Sequence, residues 1–164
     1  MKSFCCLANK ANYVEIIVQV LLINHFHPEA SIYIYYAGIS ETIFTDIKGL
    51  LKNVILKNLP ENTVIINYYY FLLYCLQDIL KDASEVVFVN TKAFICGPIK
   101  LNAKTPITFL KDDDNKIYTQ FIHCNSREYI IKLTKTIDDE GISLCKKVLY
   151  DSTERNKIFN DIYA

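Results

Sequence analysis

The chain has 164 residues, is 51% hydrophobic, and balances eighteen basic side chains against eighteen acidic ones. Zero net charge leaves no electrostatic footprint for nucleic acid or an anionic membrane, and the apolar content excludes extended disorder. The length suits a single α/β domain over 1–164, with a βα core over 1–100 and a short hairpin and helical part over 101–164.

The first element is "KSFCCLA" (2–8), a short apolar run read as a buried strand. Asn12 is placed to cap the following helix, with Glu15 three residues on as its capping-box partner. Tyr13, Ile16, Ile17, Val20 and Leu21 mark that helix's inner face, and Pro28 lies beyond its end. "SIYIYYAG" follows as a second strand ending at Gly38. Ser40 is the predicted cap of a second helix, whose apolar side is Ile43, Ile47, Leu50, Leu51 and Val54, ending before Pro60.

The β-branched and aromatic run "TVIINYYY" (63–70) predicts a third strand. Leu72, Leu73, Leu76, Ile79 and Leu80 mark a third helix, and "EVVFV" a fourth strand. Near-continuous apolar strands alternating with amphipathic helices predict a three-layer, mainly parallel, Rossmann-like sheet with right-handed crossovers. Beyond it, "TPITFLKDDDNKIYTQFIHC" reads as two strands joined by a polar turn. Ser126 then caps a helix to about residue 137, and Ile158, Phe159 and Ile162 mark a final helix over 153–163.

None of the six cysteines forms a C-x-x-C pair, which disfavours zinc, and Cys5, Cys75 and Cys96 sit in apolar runs as small hydrophobes. "MKSFCCLANK" has no signal-peptide core, and the apolar stretch 13–23 is broken by Glu15 and Gln19 and too short to span a bilayer. These features predict a reducing, cytoplasmic compartment and no transmembrane segment.

In an open parallel sheet, ligands bind at the carboxyl ends of the strands. That rule selects Ala8, Asn9 and Lys10, then Ala37 and Gly38, then Asn67 and Tyr68, and finally Asn90, Thr91 and Lys92. No G-x-G-x-x-G or P-loop motif follows the first strand. The layout of "HFHPEASIYIYY" and "VVFVNTKAFICGPI" resembles the nucleotide-sugar-binding half of GT-A fold glycosyltransferases, over residues 3–100. The resemblance implies a nucleotide-diphospho-sugar transferase-like fold with parallel strand order 3-2-1-4. It also implies a nucleotide-diphosphate sugar as donor, contacted by Ala8, Asn9 and Tyr13.

Where that family carries D-x-D, this chain has Asn90-Thr91-Lys92. Paired carboxylates hold a divalent cation there; an amide is a weak ligand and an ammonium repels one. In one reading, Lys92 takes the cation's place on phosphate; in the other, the motif has degenerated and the lysine is solvated. Tyr13 likewise either stacks on a base or packs as core. Two functions follow: a glycosyltransferase-like enzyme, metal-independent or inactive, or a noncatalytic module binding a nucleotide or a protein, with Tyr68, Tyr69 and Tyr70 as a candidate interface. No catalytic base is identified. His25 and His27, the run Asp112 to Asp114, and Cys124 beside His123 are lesser candidates for metal binding and nucleophilic chemistry, each read more simply as a helix end, a solvated turn and background.

Overall fold

The computed structural model describes residues 2–59, 68–100, 104–111, 113–114 and 117–140. Among these residues, six strands form one sheet in the order β3-β2-β1-β4-β6-β5. In chain order the elements begin with β1 (Lys2–Ala8), α1 (Tyr13–Phe26) and β2 (Ser31–Tyr36). A 3-10 turn (Glu41–Phe44) then leads into α2 (Thr45–Leu50), β3 (Val54–Asn58) and α3 (Tyr68–Ile79). The chain continues with β4 (Glu85–Val89), β5 (Ile107–Lys111), β6 (Ile117–Cys124) and α4 (Arg127–Glu140).

The four strands of the βα part are parallel, in the expected order 3-2-1-4. The predicted hairpin adds β6 antiparallel to β4, with β5 outermost. Alternation along β1 feeds both sides of the sheet. Phe4, Cys6 and Ala8 join Ile16, Val20 and Ile23 of α1 and Phe44 and Ile47 beside it. Cys5 and Leu7 join Leu72, Leu76 and Ile79 of α3 and Ile130 and Leu133 of α4. A strand covered on both faces has no polar side to show, which is why β1 reads as an unbroken apolar run.

Two predicted elements are corrected. The third strand of the sheet is "VILKN" at Val54–Asn58, inside the stretch expected to be helical; of the run expected to be that strand, Tyr68 to Tyr70 open α3 and 63–67 lie outside the described residues. The second helix stops at Leu50, and Leu51 is already extended, with φ −118° and ψ 110°. Gly49 lowers helix propensity in the last turn, and Val54 and Ile55 then favour the pleat. Asn53 stitches the new strand to its neighbour, its amide donating to the Ala30 carbonyl at 2.7 Å. Leu50, expected to be inward, is 76% exposed. The predicted helix at 153–163 lies outside the described residues.

The inner face of α1 is rotated from the predicted one. Ile16, Gln19, Val20 and Ile23 are buried, whereas Leu21 is 45% exposed. The helix is apolar nearly all round, so its periodicity contains no preferred direction and tertiary packing chose the face. Asn12 does precede α1, but its side chain makes no capping bond and the capping box with Glu15 does not form. Ser40 caps as expected, its hydroxyl accepting from the Thr42 amide at 3.3 Å, and Ser126 accepts from the Tyr129 amide at 3.2 Å. Gly38 adopts φ 65°, the left-handed region glycine enters without strain, and so turns the chain out of β2.

A polar cluster ties α3 to the β2-β3 edge. Tyr35 is 2% exposed and donates its hydroxyl to Asp78 at 2.8 Å; Lys81 lies 2.9 Å and Lys57 3.7 Å from the same carboxylate. Burial alone would raise the Asp78 pKa, but the bonds from Lys81 and Tyr35 and the nearby Lys57 ammonium outweigh it and hold the carboxyl below its ordinary 3.8. Asp78→Ala leaves the buried phenol without this acceptor and is expected to cost about 1–3 kcal/mol, more than Tyr35→Phe, in urea titrations. The folded state holds the Asp78 proton less tightly than the unfolded chain does. Its stabilisation is therefore complete above about pH 4 and disappears as pH falls through the depressed value. The stability difference between the native chain and Asp78→Asn should accordingly shrink below pH 4.

Candidate functional site

The strand order reverses between β1 and β4: from β1 the chain moves outward to β2 and β3, then crosses back to β4 on the other side. Lys2 pairs with Glu85 and Cys5 with Phe88 in parallel register, so the carboxyl ends of β1 and β4 open at the same edge. Ala8 closes β1, and Asn9 begins the loop into α1; Asn90, Thr91 and Lys92 begin the loop after β4. Sequence reasoning thus placed Ala8, Asn9, Asn90 and Lys92 at one switch point.

The first loop is held by two amides. Asn9 Oδ1 accepts from the Ala11 amide at 2.8 Å, the local bond that suits Asn to turns. Asn12 Oδ1 accepts from the Asn9 amide at 2.7 Å, and its Nδ2 donates to the Leu7 carbonyl at 3.1 Å. The side chain expected to cap α1 instead reaches back and fixes the end of β1. Its short, polar, turn-forming type was the available signal, but sequence alone did not separate capping from this backward latch. Asn12→Ala is expected to cost about 1–2 kcal/mol and to speed amide hydrogen exchange at Asn9.

Tyr13 is half-buried and packs against the α1-side core, next in the chain to this latch. The second loop is an Asx turn. Asn90 Oδ1 accepts from the Lys92 amide at 3.0 Å and from the Thr91 hydroxyl at 3.4 Å, while the Asn90 amide donates to the Gln120 carbonyl at 2.7 Å. The oxygen a cation would need is thus engaged by its own loop, and the next side chain but one is an ammonium. These residues do not fit a divalent metal. Lys92 is exposed at the mouth.

At the mouth of β2, beside Ala37 and Gly38, the Tyr36 hydroxyl donates to Glu41 at 3.0 Å. Of the third predicted mouth, Asn67 lies outside the described residues and Tyr68 begins α3, while the strand that pairs with β2 ends at Asn58. The side chains of Tyr68 to Tyr70 are likewise outside the described set.

The lesser candidates resolve on geometry. His27 Nε2 accepts from the Ile99 amide at 2.9 Å, and burial, followed by the Lys2 charge, pushes its pKa down. That nitrogen fastens the segment after β4 and is not left to a metal. His123 Nε2 is 2.8 Å from Glu85, and Cys124 is fully buried with its thiol pKa pushed up by burial. Neighbouring strand residues point to opposite faces, so His123 does not activate Cys124. Asp113 and Asp114 are exposed in the turn between β5 and β6, and Asp112 lies outside the described residues. Among the described residues, no three His, Cys, Asp or Glu side chains are grouped to hold a metal. Cys5, Cys6, Cys75 and Cys124 are buried free thiols; Cys96, expected in an apolar run, is exposed. An open cleft of about 310 Å³, lined by Lys2, His27, Pro28, Glu29 and Ala30, lies at the amino edge of the sheet, opposite the switch-point mouth.

No protein-family model and no curated protein sequence matches the chain. Solved glycosyltransferase structures do. An active-site mutant of LgtC matches with a TM-score of 0.64 at 12% identity, over 93% of this chain and 65% of that one. LgtC described as a galactosyltransferase in complex with donor and acceptor sugar analogs matches with a TM-score of 0.62 at 11% identity, over 93% and 66%. The glycosyltransferase GlyE of Streptococcus pneumoniae TIGR4 matches with a TM-score of 0.67 at 14% identity, over 98% of this chain and 44% of its own. The fold is therefore the mixed α/β, mostly parallel sheet of GT-A-type glycosyltransferases. The chain spans 65% of the first of these proteins and 44% of GlyE. Among the described residues, no helix is long and apolar enough to cross a membrane.

Proposed function

We propose that the mouth between β1 and β4 binds a nucleotide-diphosphate sugar and that the protein transfers the sugar to an acceptor hydroxyl without a divalent metal. The observation that carries the reading is the switch point itself, with the Asn9 and Asn90 loops flanking it in a GT-A-type fold. In this proposal Ala8, Asn9 and Tyr13 hold the nucleotide, and Lys92, on the turn that Asn90 shapes, meets the diphosphate. As the bond between the anomeric carbon and the diphosphate oxygen breaks, negative charge gathers on the leaving group. The Lys92 ammonium stabilises that charge, while the acceptor oxygen bonds the anomeric carbon and passes its proton to the departing diphosphate. In this reading residues 1–164 are one domain working in a reducing, cytoplasmic compartment, where thiols such as the buried Cys5, Cys6, Cys75 and Cys124 stay reduced.

A specific observation also favours a second reading. With Asn90 Oδ1 engaged by its own loop and no carboxylate at 90–92, this loop offers a divalent metal no ligand set, in keeping with a noncatalytic module that binds a nucleotide or a protein. Thermal shifts with UDP- and GDP-sugars, with and without Mn²⁺, separate the two. A metal-independent shift followed by release of nucleoside diphosphate in the presence of acceptors supports the enzyme. A shift without turnover supports a nucleotide-binding module, and no shift with any nucleotide supports a protein-binding one.

A further inference from the structure

After Asn90 the chain runs through 91–100 without helix or strand. Its side chains nevertheless alternate. Ala93, Ile95 and Ile99 belong with the α1-side core, whereas Lys92, Phe94, Cys96, Pro98 and Lys100 are exposed. Ile99 comes to rest beside Lys2, the first residue of β1. The segment is therefore a strap that starts at the carboxyl mouth and returns to the amino edge of the sheet. Side chains hold both polar groups of the Ile99 backbone. Its carbonyl accepts from Lys2 Nζ at 2.8 Å, and its amide donates to His27 Nε2 at 2.9 Å.

A ring nitrogen that accepts an N–H is unprotonated, so this bond requires a neutral His27 with its one proton on Nδ1. Backbone and ring are both held in place. The His27 amide donates to the Ile23 carbonyl at 2.7 Å, and its ring centroid lies 5.0 Å from that of Phe4. A proton on Nε2 would face the Ile99 N–H donor to donor and add a positive charge beside the Lys2 ammonium. Of the other charged or titratable groups nearby, Glu29 lines the same cleft but is exposed, as are His25 on α1 and Lys100 on the strap. Glu85, in register with Lys2 on β4, is engaged by His123 of β6 at 2.8 Å. We propose that His27 is a pH-sensitive latch: neutral, it fastens the strap at Ile99; protonated, it lets that end go.

Burial, followed by the Lys2 charge, holds the His27 pKa below its ordinary 6.5. The folded state thus takes up this proton less readily than the unfolded chain does. The latch's stabilisation is complete above about pH 6.5 and is lost as pH falls through the depressed value. Imidazole and amide NMR of the full chain from about pH 8 to 4.5 reads both partners of the bond. Near neutrality the His27 proton should sit on Nδ1. Protection of the Ile99 amide, corrected for its intrinsic exchange rate, should fall at least about fivefold through the His27 midpoint, while the ladder amides of Phe4 and Val87 keep theirs. His27→Gln puts an amide oxygen near the place of Nε2, so it keeps an acceptor and removes the titration. In that variant Ile99 protection should change less than about twofold over the same range. A His27 proton on Nε2 near neutrality overturns the proposal. So does Ile99 protection that does not follow the His27 midpoint, or the same loss in a folded His27→Gln chain. Should His27→Gln not fold, the native titration decides alone.

Discussion

Replacing Phe4 with alanine is expected to lower stability by about 3–5 kcal/mol and Tm by roughly 6–20 °C. Phe4 is fully buried in β1, between Ile32 of β2 and Val87 of β4 in the two registers. Its ring centroid lies 5.0 Å from that of His27, whose Nε2 in turn receives the Ile99 amide. Because strands on both sides are tied by ladder hydrogen bonds, the surroundings collapse little into the space left behind. The loss is therefore the transfer energy of the ring plus a cavity term. Urea unfolding should show a lower midpoint at an unchanged slope, and Phe4→Leu should retain most of the stability. A midpoint for Phe4→Ala within experimental error of the native chain's would mean that this core layer is wrongly described.

The second large effect is on binding. Lys92→Ala is expected to weaken nucleotide-sugar affinity by about ten- to a hundredfold, corresponding to roughly 1.5–3 kcal/mol for a charge-assisted hydrogen bond to phosphate. Lys92 is exposed in a loop, so its truncation should leave the melting temperature unchanged and isolate the binding term. The double variant Asn90→Asp with Lys92→Asp places two carboxylates at the end of β4. It should make donor binding depend on Mn²⁺, with little affinity in chelator. Unchanged affinity in Lys92→Ala would assign the lysine to solvent.

Most of the sheet was legible because a doubly covered strand and a surface hairpin leave different traces. Residues 2–8, 31–36 and 85–89 read as near-continuous apolar runs, whereas the segment around Asp113 and Asp114 reads as a polar turn between alternating strands. Strand β3 was hidden because "VILKN" is short and follows a helical pattern with which Leu51 and Val54 are in phase. The tyrosine-rich run downstream has the stronger β-propensity, yet Tyr68 to Tyr70 are taken into α3, where Leu72, Leu76 and Ile79 set the helical period against the sheet. The direction of α1 was not legible for the opposite reason: apolar residues all round leave the choice of face to packing.

The candidate site was legible only as a position in the fold. The switch-point rule found the Asn9 and Asn90 loops because it needs nothing beyond strand order. It did not find the Asn12 latch, since hydrogen bonds to the Leu7 carbonyl and the Asn9 amide depend on the path of four loop residues. Nor did spacing reveal that His27 holds Ile99, a contact 72 residues apart in sequence.

The proposed function stands or falls on metal-independent donor binding at the mouth of β1 and β4. Isothermal titration calorimetry of the folded chain with UDP- and GDP-sugars, in EDTA and then in Mn²⁺, tests it most directly. At least one nucleotide sugar should bind in EDTA, Mn²⁺ should leave its affinity unchanged, and Lys92→Ala should weaken it. Binding that appears only with Mn²⁺, or no binding of any nucleotide sugar under either condition, would contradict it.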